Sequence, residues 1–155
     1  MKMIHFLTVD DGTVIHKSTD DSYMIFISNN DVCTDGSGAE HGDLSHLDET
    51  AYVPTLNADK DYYSVLHPKM RTGVKPVVLG CQGRVTNLKT REWHWCVWGE
   101  VGPQNKAGEN AIVLAQHLNP KVSANDGDES FIYLYECWPG VAAVVGEKHY
   151  KLIPC

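Results

Sequence analysis

The chain has 155 residues, 43% of them hydrophobic, and sets 13 basic against 20 acidic side chains for a net charge of −7. That length and composition predict one domain over residues 1–155 with a single buried core. The acidic balance excludes a nucleic-acid surface, which needs clustered Lys and Arg, and it fits a cationic partner; no run approaches the roughly 20 apolar residues of a membrane span.

The apolar run within Met1 to Asp11 is too short and too soon interrupted for a secretory signal. The protein is therefore expected in the cytoplasm as it stands, or secreted if a leader has been removed. Ser22 to Ser28, around Tyr23-Met24-Ile25-Phe26-Ile27, reads as a buried strand. Asp31 to Glu49 is rich in Gly, Asp, Ser and His and predicts a long surface loop with a turn at Asp35-Gly36-Ser37-Gly38; long ordered loops tend to carry function. Tyr62 to Leu66 is a short strand closed by His67-Pro68. Lys75 to Gly80 and Arg84 to Leu88 read as two strands around Cys81-Gln82-Gly83, with Asn87-Leu88-Lys89-Thr90 as a hairpin turn. Glu92 to Gly99 is rich in β-formers, with Trp93 and Trp95 on one face and Trp98 on the other.

One helix is predicted, over about Lys106 to Leu118. Ala111, Leu114, Ala115 and Leu118 follow helical spacing, Asn105 can cap the start, and Asn119-Pro120 ends it. Ser130 to Cys137 and Val141 to Val145 complete the sheet around a Pro139-Gly140 turn, and His149 to Ile153 adds an edge. The sum is a mainly β domain with one helix, and short strands joined by Gly turns favour a small barrel over an open sheet.

The five cysteines, Cys33, Cys81, Cys96, Cys137 and Cys155, contain no C-x-x-C pair, so no zinc site is expected. Buried free thiols and one or two disulfides both remain open. The histidines show no metal spacing, and no metal or cofactor is expected. Cys96, mid-strand between bulky neighbours, reads as a buried thiol rather than a nucleophile.

The stretch Gly99-Glu100-Val101-Gly102-Pro103-Gln104-Asn105-Lys106-Ala107-Gly108-Glu109-Asn110 concentrates the chemistry. Two carboxylates flank a Gly-Pro turn, after an aromatic strand. Such a pair can protonate a leaving oxygen and activate water in glycoside hydrolysis. Glu100, beside Val97 and Trp98, is expected to be desolvated and protonated, which suits a general acid. Glu109, in the first helical turn, is expected to be ionised by the helix dipole, which suits a general base. Each has a plainer reading, as a solvated strand-end acid and as a helix-stabilising acid. Asp31 and Asp35 can bind ammonium groups or simply form turns, Asp59 can bond sugar hydroxyls, and Trp93 and Trp95 can stack on sugar rings or pack the core.

Several segments resemble chitosanases of glycoside hydrolase family seventy-five. Asp31-Val32-Cys33-Thr34-Asp35-Gly36 resembles that family's acidic D-x-C-x-D-G loop, and Thr50-Ala51-Tyr52 with Asn57-Ala58-Asp59 its T-x-Y … D-A segment. Gly99 to Pro103 followed by Ala107 to Ala111 resembles its D-x-G-P … I-G-E-x-S motif, and Trp138-Pro139-Gly140 its closing strand. The resemblance spans roughly residues 10–145, and the Gly-Pro to Gly-Glu segment is its specific part. The run Gly83 to Thr90 is also similar to the core of double-psi β-barrels, shared by expansin-like proteins and certain lytic transglycosylases. The resemblance implies a six-stranded double-psi barrel, an inverting mechanism, a glucosamine polymer as partner and Glu100 and Glu109 as the catalytic pair, acting as a monomer. Glu100 stands where the family has Asp, one methylene longer. Peptidoglycan cleavage, non-catalytic carbohydrate binding and a pure interaction role stay open beside it.

Overall fold

The computed structural model describes residues 1–38 and 41–154. Ten strands and one helix follow in order: β1 Met3–Thr8, β2 Val14–Ser18, β3 Met24–Cys33, β4 Tyr63–Leu66, β5 Cys81–Asn87, β6 Trp93–Val101, β7 Glu109–Ala111, α1 Ile112–Leu118, β8 Asp128–Ala142, β9 Val144–Val145 and β10 Lys148–His149. The domain is mainly β with one helix, as its composition of short β-forming runs predicts.

Six strands close into a barrel in the order β3-β7-β4-β6-β5-β8, and β8 returns to pair with β3. Strand β3 makes this closure possible. Its first half runs antiparallel to β8, from Met24 opposite Cys137 to Ser28 opposite Tyr133; its last three residues run parallel to β7, with Asp31 beside Glu109. A second parallel pair joins β4 to β6. The β1–β2 hairpin is appended through two residue pairs of β2 with β3.

Burial alternates along β5, where Cys81, Gly83, Val85 and Asn87 face inward, as a two-residue repeat on a half-covered sheet requires. Trp98, Tyr135 and Phe26 fill the interior, the last two stacked at 4.8 Å between centroids. The turn at Asn87 forms as expected: its Oδ1 accepts from the N–H groups of Lys89 and Thr90, and Arg91 takes the left-handed conformation. No helix among the described residues is long and apolar enough to cross a membrane.

Four expectations need correction. The helix starts at Ile112, not Lys106; Asn105 does not cap it, and its N-cap Ala111 offers no side-chain bond. Residues 109–111 form a strand instead, because pairing with β3 and β4 satisfies their backbone while Gly108, at φ +78°, turns the chain into the sheet. Lys75 to Gly80 is not a strand: only Leu79 bridges, to Ile153. The predicted loop from Asp31 begins as sheet, since β3 runs through Cys33. Strand β8 passes straight through Pro139-Gly140 rather than turning there.

Candidate active site

Where β4, β6 and β7 lie side by side, their residues surround a cleft of about 240 Å³. Strand β6 delivers Glu100. Its pairing with β4 slips by one residue at Gly99, so that Val65 stands opposite Glu100; a bulge of this kind re-aims a side chain next to a site. Strand β7 delivers Glu109. Ser64 pairs with Asn110, and continuing that register by one residue sets Val65 beside Glu109. Val65 is thus flanked by one glutamate on each neighbouring strand, and all three line the cleft. Two strand spacings place the glutamate backbones roughly 9–10 Å apart.

The loop between them is anchored at both ends. Gly102 N–H donates to Leu66 O at 2.9 Å, and Ala107 N–H to Asp11 Oδ2 at 2.9 Å. Gly102 admits no side chain, because a Cβ there would meet Val65 Cγ1 at 2.9 Å. Gly108 is still more restricted: with its positive φ, a Cβ would stand 2.5 Å from Ser28 Oγ. Behind Glu109, Asn110 is fully buried in a network. Its Nδ2 donates to Asn30 Oδ1 and the Tyr135 hydroxyl oxygen, both at 2.8 Å, and its Oδ1 accepts from Ser64 Oγ at 2.7 Å.

The two acids differ in their partners. Glu100 Oε1 accepts from the N–H groups of Ala51 and Val101, each at 2.9 Å. Its Oε2 is buried and, among the described residues, finds no donor. The Asp35 carboxylate lies within hydrogen-bonding range of Glu100. A neighbouring carboxylate disfavours a second negative charge and so favours the protonated form of Glu100. Burial pushes Glu100 up to about 7; the Val101 N–H opposes this and Asp35 adds to it. Burial likewise pushes Glu109 up to about 7, with Lys106 pulling down and Asp31, Asp35 and Asp43 pushing up. The sequence-based expectation of a dipole-ionised Glu109 is therefore corrected: no helix begins at this residue, and desolvation governs it.

Of the other predicted residues, Asp35 lines the cleft and also accepts from Leu47 N–H at 2.8 Å. Asp31 sits at its edge, paired with Lys106 at 2.8 Å. Asp59 is turned to the loop after β3, where it accepts from the Ser37 hydroxyl and contacts His41 Nε2 at 2.8 Å. Trp93 and Trp95 are 47% and 37% exposed, and Trp95 lies five residues along β6 from Glu100, roughly 17 Å. The structure does not bring them into the cleft.

Asp43 and Lys106 also line the cleft and were not anticipated. Burial opposes ionisation of Asp43, but the Ser45 N–H and hydroxyl and the Thr34 hydroxyl hold it below the ordinary carboxylate value. The Asp-rich loop and the Gly-Pro to Gly-Glu stretch were the available signals for both. Cys33, Cys96 and Cys137 are buried free thiols, and burial pushes Cys96 up to about 12; Cys81 is also buried, and Cys155 lies outside the described residues. Among the described residues, no three His, Cys, Asp or Glu side chains are grouped to hold a metal ion. No protein-family model matches the chain, and no curated protein matches it.

Proposed function

We propose that this protein is an inverting glycoside hydrolase that cuts β-1,4-linked glucosamine polymer. The observation that carries this reading is the placement of Glu100 and Glu109 on either side of Val65 in one cleft. A backbone separation of roughly 9–10 Å suits the wider arrangement, with carboxyls roughly 6.5–9.5 Å apart and water between, rather than the roughly 5–5.5 Å of retaining enzymes. The double-psi form of the barrel, implied by the family resemblance, belongs to the same proposal.

Glu100 is the general acid. Its proton, held by burial and by the neighbouring Asp35 carboxylate, passes to the glycosidic oxygen as the bond from that oxygen to the anomeric carbon breaks. Glu109 is the general base and takes a proton from a water that attacks the opposite face of the same carbon. The anomeric configuration inverts, and no covalent intermediate forms. Among the described residues, four carboxyl groups line the cleft, from Asp35, Asp43, Glu100 and Glu109, against one cation, Lys106. That imbalance favours a cationic sugar such as glucosamine.

The test is reducing-end release from soluble chitosan, with the product anomer read by proton NMR. Wild type should release the α-anomer, and Glu109→Gln should be slower by about 10²–10⁴-fold. Release of the β-anomer, or equal rates for both proteins, ends the assignment. Cleavage of peptidoglycan but not chitosan would replace the substrate class while keeping the two acids.

A further inference from the structure

Outside the barrel, on the face formed by β6, β5 and β8, a second cluster stands apart from the cleft. Arg84 pairs across the sheet with Trp95 on one side and Glu136 on the other. Its guanidinium carbon lies 5.1 Å from the ring centre of Trp95 and 5.7 Å from those of Trp93 and Trp138. Arg84 Nε donates to Glu136 Oε1 at 2.7 Å, and the Tyr23 hydroxyl donates to Glu136 Oε2. Glu136 is buried by these neighbours. Among the described residues, the terminal amino groups of Arg84 have no hydrogen-bond acceptor.

This is more organisation than packing requires. Two large indoles are left half-exposed on an outer sheet face, around a guanidinium fixed at one nitrogen and open at the others. An aromatic surface with a polar handle is the composition of a recognition site. The rings are not coplanar: Trp93 and Trp95 meet at 88°, and Trp95 and Trp138 at 56°. They therefore fit a twisted single chain better than a flat crystalline surface.

We infer that this face is a glycan-binding platform for uncharged N-acetylhexosamine units, distinct from the cleft. The occupant follows from charge. Glu136 neutralises Arg84 from beneath, while the outward N–H groups disfavour an ammonium ion; the protein's net charge of −7 disfavours a polyanion. What remains is a neutral, hydroxyl- or amide-bearing ring with one apolar face, which can lie on an indole and offer its oxygens to Arg84. The choice of a glycan rests on the hydrolase reading of the cleft: a partly acetylated polymer would offer charged units to the acids and neutral units to the platform. Two contacts on one chain raise retention through effective concentration.

The test is NMR of the tryptophan indole N–H signals in Glu109→Gln protein, titrated with the N-acetylglucosamine hexamer and, separately, the glucosamine hexamer. The acetylated hexamer should shift Trp93 and Trp95 at millimolar concentration, and the deacetylated one should not. Trp95→Ala should weaken binding at least tenfold. Arg84→Lys, which keeps the charge facing Glu136 but loses the fork, should do the same and covers the case in which Trp95→Ala does not fold. Unmoved indole signals, equal response to both hexamers, or concentration-dependent self-association that broadens these same signals would overturn the platform. Platform binding without cleavage of any glycan would defeat only the hydrolase reading; cleavage without indole shifts would defeat only the platform.

Discussion

Lys106 Nζ lies 2.8 Å from the Asp31 carboxylate, tying the segment after Gly102-Pro103 to strand β3. Both partners are more than a third exposed, so the pair adds little stability. Its importance is positional: it holds beside Glu109 the one cation that lines the cleft among the described residues.

Lys106→Met should therefore raise Glu109 further above its present value of about 7, because Lys106 is the group that pulls it down. A base works only when ionised, so the acidic limb of the pH–rate profile should move to higher pH, with about tenfold less activity on that limb for each unit moved. A limb that stays in place or moves to lower pH contradicts the role given to Lys106.

Asp35→Asn makes the opposite test. An amide oxygen can still accept from Leu47 N–H, so the loop is kept. The negative charge that raises Glu100 is gone. Glu100 should then lose its proton at lower pH, and the alkaline limb should retreat. Carboxyl carbon NMR reads the same change without turnover, and an unchanged Glu100 titration would rule out Asp35 as a group that raises it.

Stability should fall as pH rises from about 4.5 to 7. The folded carboxyl of Glu100 titrates near 7 against an ordinary 4.5. Below the lower value both folded and unfolded chains carry the proton and nothing is lost. Above the higher value both have released it, and the folded state bears the cost of a buried charge, roughly 3 kcal/mol for a shift of this size. Glu109, also raised to about 7 by burial, adds a loss of the same sign, so urea midpoints should be higher at pH 5 than at pH 8, and Glu100→Gln should remove about half of the difference.

Asn110→Ala removes the hub joining Ser64, Asn30 and Tyr135. Tyr135 still donates to Asn29 O and Ser64 still contacts Cys96 Sγ, so Asn30 Oδ1 is the group stranded, and a loss of about 1–3 kcal/mol is expected in urea unfolding. Glu109 is the adjacent residue of the same three-residue strand, and activity should fall with stability. Full stability in this variant would show that the network is dispensable.

Much of the cleft was legible because its two acids and the turning residues between them are contiguous in sequence. Gly102 and Gly108 are needed wherever backbone crowds backbone or side chain, and a glycine can be read as such from sequence. The onset of the helix was not legible. Ala111, Leu114, Ala115 and Leu118 carry helical spacing, but pairing of residues 109–111 with two strands distant in sequence overrides it. The same non-local pairing hid the closure of the barrel by β3. Trp93 and Trp95 were grouped with the acids because they share a strand; strand length, not residue type, separates them.

Strand β3 is bonded to β8 over one half and to β7 at its end. The six strands thus form a hoop rather than a ribbon. A ribbon frays from its margins, while a hoop has none and fails as a whole. The β1–β2 hairpin and the separate β9–β10 pair lie outside it. Heating is therefore expected to dismantle the acid pair and the barrel in one transition, and a calorimetric trace with two separated transitions would contradict this.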